Sequence, residues 1–333
     1  MPRVLIAGDQ YQLIKKIGEG SFGKIFSCAS VAGASVAGAS TAGTSVAGAS
    51  VAGASTAGTS TAGTSTAGAS VAGASTAGTS TAGASVAGTA APEYAVKIMP
   101  LAHHVLMKNE VAIYERLKGV KCIPSLYAYG VEGKFNYMVM DLLEQSVEDL
   151  HLNCGGKLPL KVVLHLAMQM LTIVEQIHAR GIVHRDLKPA NFLLRTNKEH
   201  ISELYLIDFG LAKSVLDDKL RHGEMKTNES LIGTRRYMSV NVHHGLTASR
   251  RDDLESLGYI MIFLHQGQLS WQNQSSLSAV AELKQNFGWP AVQSQPIVGE
   301  FVLFILYCRN LGFAEKPNYE YLRQLLVNLN NLL

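Results

Sequence analysis

Apolar and polar residues alternate in the first part of the chain and recur at three and four in the second. Residues 11–29 read YQLIKKI, GEGSFG, KIFSCA, two short strands around a glycine-rich turn. Residues 93–99 (EYAVKIM) and 134–141 (KFNYMVMD) alternate and are rich in β-formers, so each predicts a strand. Residues 108–117 (KNEVAIYERL) place Val111, Tyr114 and Leu117 on one helical face. From 160 to 179 the set Val163, Leu166, Ala167, Met170, Ile173, Val174 and Ile177 predicts a helix of about five turns with a wide buried face. Residues 253–265 and 299–308 also read as helices, the first apolar almost all round and so buried. Strands crowd the first half and helices the second. The expected architecture is α+β, a small β-rich lobe joined near 141–146 to a larger helical lobe.

Between the strand ending at Ala29 and the one beginning at Glu93 the pattern stops. Residues 30–89 are twelve consecutive pentads of the form S-[V/T]-A-G-[A/T], without a single charge. Ordering 60 such residues costs roughly 60–120 kcal/mol of backbone entropy. Six valines are its only sizeable apolar side chains, each worth about 1.5–3 kcal/mol if fully buried. The tract is therefore expected to be a flexible low-complexity loop, with an ordered or self-associating β form as the alternative. Stretching a turn of about 6 residues to about 66 adds only about 2 kcal/mol of closure entropy.

The remainder has the composition of an ordinary globular chain. A hydrophobic content of 47% excludes a wholly disordered protein, and a net charge of +3 gives no argument for nucleic acid or a membrane surface. The longest uninterrupted apolar runs, near 257–264 and 301–308, fall well short of the roughly 20 residues of a membrane span. The N-terminal apolar stretch is too short for a secretory signal, so the expected location is intracellular, cytoplasm and/or nucleus. Cys28, Cys122, Cys154 and Cys308 are scattered, which suits reduced thiols better than zinc or disulfides.

Four signals carry chemistry. Gly18-Glu-Gly20-Ser-Phe-Gly23 sits between two strands. With no helix following, it fits a glycine flap over phosphates better than a dinucleotide fingerprint. Lys97 lies in an apolar strand with Glu110 on the next helix, either a buried phosphate-holding lysine and its counter-charge or an edge lysine pointing to solvent. The third signal is His184-Arg185-Asp186-Leu187-Lys188-Pro189-Ala190-Asn191, and the fourth Asp208-Phe209-Gly210. Phosphoryl transfer needs a carboxylate near the attacking hydroxyl, a cation near the transferred phosphate and oxygen ligands for Mg²⁺. Asp186, Lys188, Asn191 and Asp208 supply that set.

On these motifs the chain resembles the protein kinases and, within them, the casein kinase 1 family. Ser249-Arg250-Arg251-Asp252-Asp253-Leu254-Glu255-Ser256-Leu257-Gly258-Tyr259 is close to a signature of that group. Ser239-Val240-Asn241 stands where most kinases have A-P-E. The run Met138 to Leu143, Ser146 to Leu150, and Lys316-Pro317 with Tyr321-Leu322-Arg323 match too. The resemblance covers residues 9–333 apart from the repeat. It implies a two-lobed kinase domain over 11–333 after an extension at 1–10, with an N-lobe at 11–140, a hinge at 141–146 and a C-lobe at 147–333. It also implies ATP and Mg²⁺, protein substrates phosphorylated on Ser or Thr, a monomer, and neither nucleic-acid binding nor membrane insertion.

Carried residue by residue, the resemblance makes Gly18, Gly20 and Gly23 the phosphate flap, with Ile17 and Ile25 above the adenine. Lys97 holds the α- and β-phosphates and pairs with Glu110. Met140 is the gatekeeper, backbone groups of Asp141 and Leu143 bind adenine, and Ala95, Leu193 and Ile207 line the pocket. Asp186 receives the substrate hydroxyl proton, Lys188 steadies the γ-phosphate, and Asn191 and Asp208 bind Mg²⁺. Thr234 contacts Asp186 and Lys188, and Asp253 anchors the catalytic loop.

The departures bear on specificity. The repeat occupies what is a short turn in the family, far from the active site. Glu229 stands where the family has a lysine. The basic run after Leu269-Ser270-Trp271 is reduced to residues 279–285, with only Lys284. Acid-directed or phospho-primed specificity is therefore expected to be weakened. The tract could be autophosphorylated at the Thr61 and Thr64 spacing, or be a neutral spacer. Two other readings stay open, a catalytically weak or inactive kinase-fold scaffold and a kinase of the tau-tubulin or vaccinia-related type.

Overall fold

The computed structural model describes residues 5–20, 23–31, 93–196, 202–216, 222–287 and 296–331. Both readings of the repeat, as a loop and as a phosphorylated tract, lie beyond Val31 and outside the described residues.

The strand-rich part is one antiparallel sheet. It contains β1 (Leu5–Ile6), β2 (Tyr11–Glu19), β3 (Lys24–Ser30), β4 (Tyr94–Pro100), β5 (Leu126–Glu132) and β6 (Phe135–Asp141), in the order β1-β2-β3-β4-β6-β5. β1 lies in the extension and carries no alternating signal of its own. It is held because Leu5 and Ile6 pair with Gln12 and Tyr11, and because the Ala7 N–H donates to Glu132 Oε2 at 2.7 Å. β3 and β4 flank the repeat and pair directly, Cys28 opposite Tyr94, with the Glu93 N–H donating to the Cys28 carbonyl at 3.0 Å. The two ends of the inserted segment therefore meet at one point on the sheet, so its length leaves the register of β3 on β4 intact. α1 (His104–Arg116) follows β4 and buries Met107, Glu110, Val111, Ile113 and Tyr114.

β6 ends at Asp141 and α2 (Val147–Asn153) starts after five intervening residues. Ser146 caps α2 through the Asp149 N–H at 3.1 Å, and Asp149 Oδ2 accepts the Ser146 N–H at 3.0 Å. The helical part is built on α3 (Leu160–Ala179) and α5 (Arg250–Gln266), with α4 (Val240–His243), α6 (Leu277–Asn286), α7 (Pro296–Asn310) and α8 (Tyr319–Asn331) around them. α3 has the bounds its periodicity predicts. By length and composition it could cross a membrane, but its apolar face, Val163 to Ile177, is buried in the core of this fold. α5 is buried from Asp252 to Leu264. α7 packs closely on it, since a Cβ on Gly258 would lie 2.3 Å from Ile305 Cγ1. Between α3 and α4 run β7 (Ile182–Val183), β8 (Phe192–Thr196), β9 (Ser202–Leu206) and β10 (Lys213–Ser214), paired β10 on β7 and β8 on β9.

Candidate active site

Lys97 sits in the middle of β4, opposite Ile25 of β3 and Met138 of β6. It is 8% exposed, so the edge-lysine reading fails. Its Nζ donates to both carboxylate oxygens of Glu110 at 2.8 Å and to Asp208 Oδ1 at 2.9 Å. Glu110, on the buried face of α1, is 1% exposed. Burial disfavours the Lys97 ammonium, but Glu110 and Asp208 outweigh it and hold its pKa above the ordinary lysine value. Burial likewise pushes the Asp208 carboxyl up, and Lys97, together with His184 and Lys188, carries it below the usual aspartate value.

The turn from β2 to β3 is closed by Gly20 and Gly23, each N–H donating to the other's carbonyl at 2.9 and 3.4 Å. A Cβ on Gly23 would lie 2.4 Å from the Ile98 carbonyl oxygen, so only glycine lets the turn approach the strand carrying Lys97 this closely. Gly18 pairs with Ile25. Ile17 is 48% exposed and Ile25 packs on the core edge. Ala95 and Met140 face each other across β4 and β6, Leu193 bridges to Ser146, and the Ile207 N–H donates to the Asn191 carbonyl at 3.0 Å. Asp141 is occupied at its N–H by the Ser125 carbonyl and at its carboxylate by the Ser125 N–H and Tyr127 hydroxyl. The backbone N–H and C=O of Leu143 meet no described residue.

The second group gathers on Asp186, which is 8% exposed. Thr234 donates to its Oδ1 from both the backbone N–H and the hydroxyl, each at 2.7 Å. Lys188 Nζ takes Oδ2 at 2.7 Å, and Asn191 Nδ2 donates to the Asp186 carbonyl at 2.9 Å. Thr234 and Lys188 thus hold opposite oxygens of one carboxylate, and both line the same cavity. Asn191 Nδ2 being engaged leaves its Oδ1 without a described partner, and Asp208 Oδ2 is likewise left, an oxygen set that suits Mg²⁺.

The loop holding these groups is tied to α5. Asp253 accepts the His184 N–H at 2.7 Å and the Arg185 N–H at 2.9 Å, and His178 Nε2 lies 3.0 Å from it. Burial raises the Asp253 carboxyl, but His178 and His184 carry it below the usual aspartate value. His178 in turn meets the Tyr319 hydroxyl at 2.8 Å, a link from α8 that sequence reading missed because its partners are 141 residues apart. Arg185 and Asp208 adopt left-handed φ of 68° and 63°. Each such non-glycine residue costs about 1–3 kcal/mol, and strain of this kind gathers at working sites. Gly233, at φ +104°, has space for no side chain, since a Cβ would meet the Arg185 carbonyl oxygen at 2.4 Å.

Beside Lys188 and Thr234 opens a cavity of about 480 Å³, lined by Glu148, Arg235, Arg236, Tyr237, Trp271 and Gln272 among others. Lys284, the one basic residue left in the reduced run, is not among the residues that line this cavity. It is completely buried.

A family model for the protein kinase domain matches residues 78–316, well over half of the chain. The match includes Lys97, Glu110, Asp186, Lys188, Asn191, Asp208, Thr234 and Asp253 and leaves out β1 to β3 with their glycine turn.

Proposed function

The chain belongs to the protein kinase domain family, and on that footing we propose that it transfers the γ-phosphoryl group of MgATP to serine and threonine hydroxyls of proteins, in the manner of casein kinase 1. The observation that carries the proposal is the convergence of two groups, Lys97–Glu110–Asp208 and Asp186–Lys188–Asn191–Thr234, built from segments up to 137 residues apart in sequence.

Each residue has a task set by its contacts. Lys97, held ionised by two carboxylates, attracts the α- and β-phosphates. The glycine turn at Gly18, Gly20 and Gly23 offers backbone N–H groups to the phosphates without side chains in the way. Ile17, Ile25, Ala95, Met140, Leu193 and Ile207 enclose the adenine, and the carbonyl of Asp141 and the backbone groups of Leu143 recognise its edge. Asn191 and Asp208 would hold Mg²⁺, which would neutralise charge on the phosphates. Asp186 orients the attacking hydroxyl and accepts its proton. Thr234 fixes the carboxylate, and Lys188, on its other oxygen, lies where charge builds on the transferred group.

Substrate choice follows from the cavity beside Thr234. Glu148 shares its wall with Arg235 and Arg236, Glu229 replaces a lysine, and Lys284 is withdrawn into the core. This favours a weakened preference for acidic or phospho-primed sites. The enzyme is further proposed to act as a monomer inside the cell.

A phosphorylation assay on casein tests the activity. Wild type is expected to label serine and threonine, and Asp208→Asn or Lys97→Met to abolish the labelling. An inactive wild type that also fails to bind ATP would leave a kinase-fold scaffold instead. Peptide arrays with and without phosphoserine three residues before the acceptor test the specificity, and a strong primed preference would refute it.

A further inference from the structure

The mechanism above makes no use of Lys284 on α6, though its burial is complete. Burying an ammonium is costly unless every donor finds a partner. Here the partners are backbone. Nζ donates to the Arg235 carbonyl at 2.8 Å and the Met238 carbonyl at 2.6 Å, and lies 3.2 Å from His243 Nε2. It stands 4.9 Å from the ring centre of Tyr259 and 5.4 Å from that of Trp271, faces that attract a cation. The carbonyl between, that of Arg236, is taken by Trp271 Nε1 at 2.8 Å. Three carbonyls of one four-residue stretch are thus gripped from behind by two side chains.

The other face of that stretch is open to a cavity. Arg235, Arg236 and Tyr237 line the cavity beside Lys188. The Tyr237 and Met238 N–H groups fold back onto the Thr234 carbonyl at 2.9 and 3.0 Å. A shift at Met238 therefore reaches Thr234, and through its two bonds reaches Asp186. Lysine suits the position because three donors radiate from one small head, whereas the flat fork of arginine does not match carbonyls set around a point.

We propose that Lys284 is a positioning residue: by holding the carbonyls of Arg235 and Met238 from α6, it sets the wall on which the acceptor polypeptide lies and keeps Thr234 on Asp186. The inference rests on the kinase reading, and it adds a determinant of protein-substrate binding that never touches the substrate.

Lys284→Met keeps the aliphatic stem and removes the donors. Loss of the hydrogen bonds to two carbonyls should raise KM for a peptide substrate about tenfold, with KM for ATP changing less than about twofold. Hydrogen exchange at the Tyr237 and Met238 amides should quicken by about tenfold while the α3 and α5 amides stay protected. Lys284→Arg should recover neither fully. An unchanged peptide KM with unchanged exchange at 237–238 would overturn the proposal, as would uniform acceleration across the helical part, which marks general destabilisation. If wild type proves inactive, the kinase reading fails on its own, and the exchange measurement still decides whether Lys284 holds this wall.

Discussion

Thr234 meets Asp186 twice, its backbone N–H and its hydroxyl both donating to Oδ1 at 2.7 Å. The hydroxyl bond fixes the carboxylate without engaging Oδ2, which Lys188 takes. Thr234→Ala removes one charge-assisted bond and keeps the other. A bond to a charged group is worth about 1.5–3 kcal/mol, so kcat should fall roughly 10- to 100-fold. Thr234→Ser, which keeps the hydroxyl, should remain close to wild type. Steady-state kinetics on one peptide checks both.

Lys97→Met has a second consequence besides lost activity. Glu110 is 1% exposed and receives both its hydrogen bonds from Lys97. Removing one partner of a buried pair costs about 3–5 kcal/mol, because the other charge stays behind. Denaturant unfolding of Lys97→Met should show a loss of that order. Lys97→Met with Glu110→Leu should recover part of it, and a double variant no more stable than the single one would contradict the burial argument.

Asp252 makes stability depend on acidity in an unusual direction. Burial raises its carboxyl from 3.8 to about 6, against the opposing pull of Ser239, the Ser249 N–H and Arg251. Below about pH 4 it is protonated in both states. Between about 4 and 6 the unfolded chain releases the proton first, so this group's contribution falls as pH rises and levels off above 6. The change is on the order of 1–3 kcal/mol. Asp252→Asn, which can still accept the Ser239 hydroxyl, should flatten that part of the stability profile measured by urea unfolding.

Replacing residues 32–92 with a short turn should leave kcat and both KM values within about twofold of the full chain, since β3 and β4 already pair at Cys28 and Tyr94. Shortening this connection should add about 2 kcal/mol of stability through reduced closure entropy. A large loss of activity in the shortened protein would show that the tract does more than connect.

The candidate catalytic set could be picked out along the chain because its members are close in sequence. Asp186, Lys188 and Asn191 fall within six residues, and Asp208 follows by a short return, so their types and spacing alone point to phosphoryl transfer. The long elements were legible too. α3 carries a period strong enough to mark both ends, with Pro159 before it and no glycine or proline inside.

Where partners are distant, local pattern has no purchase. Nothing around Lys97 distinguishes a buried strand lysine from an exposed one, and the tertiary fold decided it by bringing Glu110 and Asp208 to the same ammonium. β1 forms because Tyr11 and Gln12 offer an edge, not because Leu5 and Ile6 prefer a strand. Lys284 gives the sharpest contrast. In sequence it is the lone cation of a short helical segment of mixed polarity, with nothing beside it to mark it as buried. In the fold it is enclosed by His243 of α4, Tyr259 of α5, Trp271 beyond α5 and carbonyls of the segment after Thr234, up to 49 residues away. Sequence by itself determined which chemical groups the protein has and the periodicities of its elements. Only the packing of those elements determined which charges are buried together, because burial and pairing are properties of what surrounds a side chain and not of its neighbours along the chain.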